Sequence, residues 1–263
     1  MKWISCLTLI VVALTLLVPS SPVLASSLTE TRIESTAKKS HVFKTYLKDD
    51  DITVKSKDGI VSLTGTVAEE THKSLAQETV ASLPGVRSVD NQLQVKGEPT
   101  TENSDRWVSM NVKASLLFHR NLSLSKTDVL VKDGVVTLRG KAASLAQKDL
   151  TTEYIKDVTG VKGVQNEMTV PESPGQKTLD QKMEVVAESI DDASITALVK
   201  MTLMYHRSTS ALHTKVETNQ GLVSLAGTAR NAAEKDLVTK FVQDVHGVDS
   251  VVNNMTIIEA PKS

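Results

Sequence analysis

Few residues in this chain could do chemistry, and they are scattered. Ser35 and Lys38 have the Ser-x-x-Lys spacing in which a lysine can activate a serine nucleophile. The companion Ser-Asp-Asn and Lys-Thr-Gly elements are missing, and the unit of about 70 residues around the pair is too small for the fold that motif serves. Asp49, Asp50 and Asp51 form an acidic run that could draw calcium, but a calcium site needs oxygens from a second set of ligands. There is no His-Glu-x-x-His, no Walker loop, no Gly-x-Gly-x-x-Gly and no Gly-x-Ser-x-Gly. Neither a catalytic residue nor a metal, cofactor or small-molecule substrate is expected.

Two short motifs recur. Phe118-His119-Arg120 and Tyr205-His206-Arg207 each close a stretch with helical spacing. His and Arg there complement the negative end of a helix dipole. They could also form a cationic tip, beside an aromatic ring, that meets anionic head groups. Trp107, Met110, Met201 and Met204 lie on the same helices and add apolar surface. Trp107, Phe118, His119, Arg120, Met204, Tyr205, His206 and Arg207 are therefore the candidate lipid- or partner-binding residues.

The elements that position them come in three copies. Gly59-Ile-Val-Ser-Leu-Thr-Gly65, Gly134-Val-Val-Thr-Leu-Arg-Gly140 and Gly221-Leu-Val-Ser-Leu-Ala-Gly227 share one frame. Twenty residues after each second glycine comes Gly85, Gly160 or Gly247, followed by Val and, six residues on, by Asn91, Asn166 or Asn253. Each copy opens with a helix. Val108, Val112 and Leu116 mark one face in the second copy, and Ile195, Val199 and Leu203 in the third. Ser104 or Asp105, and Asp191 or Asp192, can cap these helices. Copy one has Ile33 and Ala37 but His41 at the third position, where Val42 or Phe43 can substitute.

A hairpin follows, turning at Asp58-Gly59, Asp133-Gly134 or Gln220-Gly221. Its second strand alternates, as in Val61 and Leu63 against Ser62 and Thr64, which reads as a half-buried strand. The second glycine should end that strand. The next helix carries Leu75, Val80 and Leu83 or their equivalents, with Thr79, Tyr154 and Phe241 at matching places. The third glycine should stop this helix. A last strand runs over Val86–Val95, Val161–Val170 and Val248–Ile257, with the asparagines kinking it. The expected fold class is α+β: three tandem αββαβ modules, each a three-stranded mixed sheet with two helices on one face.

The modules are expected at 28–97, 104–171 and 191–259. Residues 172–190 form a linker, and Leu179 to Ile190 either extend the third copy's first helix or stay irregular. Residues 1–25 read as a signal peptide: Lys2, an apolar run from Leu7 to Val18, then Val23-Leu24-Ala25 before cleavage after Ala25. The one cysteine, Cys6, lies in that leader, so the exported chain would have no disulfide. Net charge is −1 and no copy is strongly basic, which disfavours nucleic acid as a partner.

The glycine frame with Gly-Val-x-x-Val-x-Asn resembles the BON-domain family, named for osmotically inducible and nodulation proteins. The resemblance covers about 210 residues and recurs three times. It implies the αββαβ fold and no catalytic residues. It also implies a periplasmic protein associated with osmotic or envelope stress that contacts phospholipid surfaces or envelope proteins. A non-enzymatic phospholipid-binding role is the first expectation. The alternative is a periplasmic chaperone or scaffold holding exported chains on a wet sheet face or an exposed edge strand.

Overall fold

The computed structural model describes residues 22–97, 100–122, 127–170, 190–209 and 214–258, with side chains from residue 29 onward. Most of the expected leader and all of the expected linker except Ile190 lie outside the described residues. Module 1 comprises α1 (Pro22–Lys39), α2 (His41–Thr45), β1 (Asp51–Lys57), β2 (Ile60–Val67), α3 (Glu70–Ala81), β3 (Ser88–Asn91) and β4 (Gln94–Val95). Module 2 comprises α4 (Asp105–Phe118), β5 (Thr127–Lys132), β6 (Val135–Gly140), α5 (Leu145–Asp157) and β7 (Gly163–Asn166). Module 3 comprises α6 (Asp192–Tyr205), β8 (Thr214–Asn219), β9 (Leu222–Ala229), α7 (Ala232–Gln243), β10 (Ser250–Asn253) and β11 (Thr256–Ile257).

In each module the first two strands pair antiparallel and the last returns parallel to the second. The hairpins turn through residues at positive φ: Asp58 and Gly59, Asp133 and Gly134, Gln220 and Gly221. Two consecutive positive φ values are what a type I′ turn requires. Ser104 and Asp191 cap α4 and α6, accepting from Trp107 N–H and Ser194 N–H. Their neighbours do something else. Asp105 accepts from the backbone N–H groups of Asp133 and Gly134, and Asp192 from those of Gln220 and Gly221. Glu30 accepts from Asp58 N–H in module 1. One acid in each first helix thus ties that helix to its hairpin.

Several sequence expectations need correction. The second glycine does not end its strand in modules 1 and 3, where β2 runs on to Val67 and β9 to Ala229. Gly65 lies inside the ladder at φ +120°, and a Cβ there would sit 2.0 Å from the Asp51 carbonyl oxygen. The third glycine is not the residue that stops the second helix. The helices end at Ala81, Asp157 and Gln243, and the glycines follow a few residues later. In modules 2 and 3 they let the first helix lie close: a Cβ on Gly160 would meet Val108 at 2.8 Å and Trp107 at 2.9 Å, and one on Gly247 would meet Ile195 at 2.9 Å.

The last strand is shorter than expected and interrupted. Asn91, Asn166 and Asn253 accept from the N–H two residues on and donate to the carbonyls of Lys73, Lys148 and Lys235 on the second helix. This local turn breaks the strand and sends Leu93, Met168 and Met255 inward. In copy one the first helix breaks at Ser40, which caps α2, and Val42 rather than His41 enters the core.

The modules do not close separate cores. One apolar core runs from Ile33, Val61 and Leu75 of module 1 into Ile195, Leu198 and Val242 of module 3. Phe241 of module 3 sits in the core of module 2. At the centre lies α6, buried along nearly its whole length, with only Lys200 and Met204 between Ala193 and Tyr205 reaching the surface. A helix apolar all round belongs inside. Module 1 lies against it: Lys200 pairs with Glu78 at 3.0 Å, Asp191 accepts from His41 N–H at 2.7 Å, and Ser194 from Val42 N–H at 3.1 Å.

Candidate functional site

The two Phe/Tyr-His-Arg motifs meet each other. His119 and His206 are 0 % and 1 % exposed, and their Nε2 atoms lie 3.4 Å apart. The Nδ1 of His119 faces Asp244 at 3.6 Å, and the Nδ1 of His206 faces Asp157 at 3.4 Å. These are ion-pair distances without hydrogen-bond geometry. Each acid ends the second helix of the opposite module.

The backbone repeats the same reciprocity. Arg120 N–H donates to the Asp244 carbonyl and Arg207 N–H to the Asp157 carbonyl. Thr159 N–H donates to Tyr205, and His246 N–H to Phe118. The Arg120 guanidinium donates to the carbonyls of Val245 and Val248, and that of Arg207 to those of Val161 and Lys156. Nearly every contact has its counterpart 87 residues away, so modules 2 and 3 form a quasi-twofold pair within one chain. Tyr154 and Phe241 face each other across it, edge to face at 5.0 Å.

Copy one cannot join this pair. It has Lys44, Thr45, Thr79 and Ser82 where the others have His, Arg, an aromatic ring and Asp. It uses Tyr46 instead, packed edge-on against Phe118, which stacks at 6.4 Å on Tyr205.

The seam shapes its own electrostatics. Burial pushes the His119 imidazole down to about 4, and contact with Asp244 only partly opposes that. Burial raises the Asp157 carboxyl, but His206 and the Ser208 hydroxyl outweigh it and hold the group below the usual range. Both histidines are parts of a packed interface.

The expectation of cationic helix tips is therefore corrected. Phe118, His119, Tyr205 and His206 are interior, and Arg120 and Arg207 are engaged by carbonyls of the opposite module. Desolvating the rings against a second module is what the expected tips missed. The complementary acids were visible in the sequence as Asp157 and Asp244, equivalent to each other and absent from copy one. Trp107 and Met204 line a groove of about 350 Å³ where the three modules meet, and Tyr205 borders it from the interior. Asp50, in the acidic run, is structural, accepting from Ala68 N–H and pairing with His72 at 2.6 Å. Among the described residues no three His, Cys, Asp or Glu side chains cluster as metal ligands would.

A second open feature is the β8 edge. Among the described residues β8 pairs only with β9. All six of its residues line a cleft of about 980 Å³, closed on the far side by Ala81, Ser82 and Pro84 of module 1. The two-residue turn makes Asn219–Leu222 a hydrogen-bonded pair, so the N–H groups of Val216 and Thr218 point outward. At the equivalent place in β1, Ser56 N–H is taken by Glu34 at 2.9 Å. Module 3 has Thr196 in place of Glu34, and Thr196 bonds the Thr218 hydroxyl instead.

Comparison with known proteins agrees with the repeated architecture. The BON domain family model matches residues 29–97, 104–172 and 191–259. Osmotically-inducible protein Y of Escherichia coli (strain K12) is 31 % identical over 151 residues, which are 57 % of this chain and 71 % of that protein. Among solved structures, CdsD, a structural protein of the Type III secretion system of Chlamydia trachomatis, aligns at 18 % identity over 89 % of this chain and 94 % of its own, with a TM-score of 0.25. A likeness at that score bears on neither arrangement nor partner.

Proposed function

Because the chain belongs to the BON domain family in all three of its modules, we propose that it is a non-enzymatic binding protein of the cell envelope that holds extended segments of exported polypeptides. It reaches the periplasm through a leader cleaved after Ala25, and it serves under osmotic or envelope stress, as similarity to an osmotically inducible protein supports. The observation that carries the reading is the outer edge of β8 at Val216 and Thr218, whose N–H groups no described residue takes, along a cleft of about 980 Å³. An extended chain can add there as a further strand, its backbone meeting the outward N–H groups of Val216 and Thr218. Exposed strand edges are a liability that chains usually cover. Module 1 covers its own at Ser56 with Glu34, and among the described residues none does the same at Thr218 N–H, the equivalent place in module 3.

The phospholipid expectation rests on the family resemblance, on the two helix tips and on Trp107, Met110, Met201 and Met204; the His and Arg side chains of the tips, which would meet head groups, are spent in the seam between modules 2 and 3. Polypeptide is therefore preferred over lipid as the partner. The test is suppression of aggregation of a reduced, alkylated client protein, with hydrogen exchange followed at residues 214–219. Protection there, and its loss in Thr196→Glu, which copies module 1's edge block, is expected. Binding to anionic vesicles with no effect on the client would overturn the reading.

A further inference from the structure

We propose that the groove where the three modules meet binds a basic side chain carried on an apolar stretch of polypeptide. Each module supplies part of it. Glu70 comes from α3, Trp107, Met110 and Asn111 from α4, and Met204 from α6, with Glu102 at its rim just before α4. No single module and no pair of them builds this site.

Three observations point to a ligand of that chemistry. Met204 is 47 % exposed on a helix whose other apolar side chains are buried, and it shares the groove with Trp107, so an apolar contact surface is left open. Asn111 is 2 % exposed, yet its amide nitrogen has no hydrogen-bond partner. A donor buried without a partner is costly, and a peptide carbonyl reaching it from the groove would relieve that cost. Among the described residues, Glu70 and Glu102 take part in no ion pair, whereas Glu78 and Glu234 pair with basic side chains. Two free carboxylates at the mouth of an apolar groove complement a Lys or Arg and repel anionic head groups. Lys113, on the same helix, lines the adjoining cleft beside Tyr46 and Phe118, which shares Thr71 and Met110 with the groove.

The class of ligand rests on the polypeptide-binding reading above; the groove itself does not. The two sites are also separable by experiment. The chain has two tryptophans, Trp3 in the leader and Trp107 in the groove. In the exported chain, or in full-length Trp3→Phe, emission reports on Trp107 alone. Acetyl-Leu-Lys-Phe-Lys-Leu-amide should change that emission saturably. The peptide with Glu in place of Lys should bind at least about ten-fold more weakly. Glu70→Gln with Glu102→Gln should weaken the basic peptide by a similar factor, and Met204→Ser should weaken it independently of salt. Circular dichroism checks that each variant folds. Thr196→Glu should leave the emission change intact, because it blocks only the β8 edge.

An unchanged Trp107 signal with the basic peptide overturns the proposal, as does equal affinity for the acidic one. Binding that depends on Thr196 and not on Glu70 and Glu102 assigns the peptide to the edge instead and overturns it too. Saturation by tetramethylammonium alone, with peptide adding nothing, makes the groove a site for small cations and also overturns it. An emission response to anionic vesicles and not to peptide does the same.

Discussion

His119 and His206, 87 residues apart in the chain, bring their Nε2 atoms to 3.4 Å inside a seam that excludes water from both. Each ring is backed by an acid of the other module, Asp244 for one and Asp157 for the other. The pair joins modules 2 and 3 as a protomer joins its twin in a symmetric dimer, except that both halves lie on one chain. Module 1 then lies on α6, a helix that modules 1 and 2 both pack against.

The seam should weaken in acid. Burial, together with His206 and His246, lowers the His119 ring to about 4 against Asp244, below its usual 6.5. Between these values the unfolded chain takes up a proton that the folded ring refuses. Stability is therefore full above about pH 6.5, falls as pH drops toward 4, and levels off below it. The loss from this group alone is up to about 3 kcal/mol. Asp157, held low in the folded chain, adds a loss of the same sign as pH falls through its folded value. Urea melts from pH 7 to pH 4 should show the decline. A His119→Phe chain that declines just as steeply would refute the assignment to His119.

Reciprocity predicts coupling between residues far apart in sequence. A double-mutant cycle of His119→Ala with Asp244→Ala should give an interaction energy of about 0.5–3 kcal/mol. The cycle of His206→Ala with Asp157→Ala should match it. His119→Ala with Ser82→Ala, the copy-one residue in the place of those acids, should be additive within about 0.5 kcal/mol.

Two glycines should respond in opposite ways to alanine. Gly65→Ala places a methyl 2.0 Å from the Asp51 carbonyl oxygen at φ +120°, so the β1–β2 ladder must shift. The expected loss is above about 2 kcal/mol. Gly163 has ordinary φ and nothing within 4 Å of a new Cβ. Gly163→Ala should be neutral or stabilise by up to about 1 kcal/mol through the unfolded chain. Thermal melts of the two variants check the contrast.

Met201 and Met204 share α6 but differ in burial, at 1 % and 47 % exposed. Met201→Ala should cost about 2–5 kcal/mol by opening a cavity at the contact of modules 1 and 3. Met204→Ser should change stability by less than about 0.5 kcal/mol and act on peptide binding alone. Urea melts of both variants measure the difference.

Gln220 holds φ +50° in a turn where the other copies place Asp. Side chains that bond locally tolerate this region better than Gln does. Gln220→Asn should therefore raise the melting temperature, which thermal melts of the two chains measure.

Much of each module was legible before folding, because its signals are local. The Asp-Gly turns demand positive φ, the alternation of Val61 and Leu63 with Ser62 and Thr64 marks a strand with one wet face, and Asn91, Asn166 and Asn253 mark where the last strand breaks. What the glycines do was read less well. Gly65 and Gly160 answer to the carbonyl of Asp51 and the side chains of Val108 and Trp107, neighbours that only the folded chain supplies.

The candidate site was half legible. The sequence drew attention to eight residues, most of which recur in copies two and three and carry charge beside aromatic rings. It could not say that six of them face another module. Local spacing reports which face of a helix is apolar, and says nothing of what covers that face. By itself the sequence determined three αββαβ modules, their turns and their breaks, because turn chemistry and hydrophobic period act within a few residues. The tertiary structure alone decided that His119 meets His206, that modules 1 and 2 both pack against α6, and that Trp107 and Met204 are left in an open groove with Asn111, Glu70 and Glu102. Those outcomes depend on shape and charge matching between surfaces far apart in the chain, 87 residues for the two histidines, where no periodicity reaches.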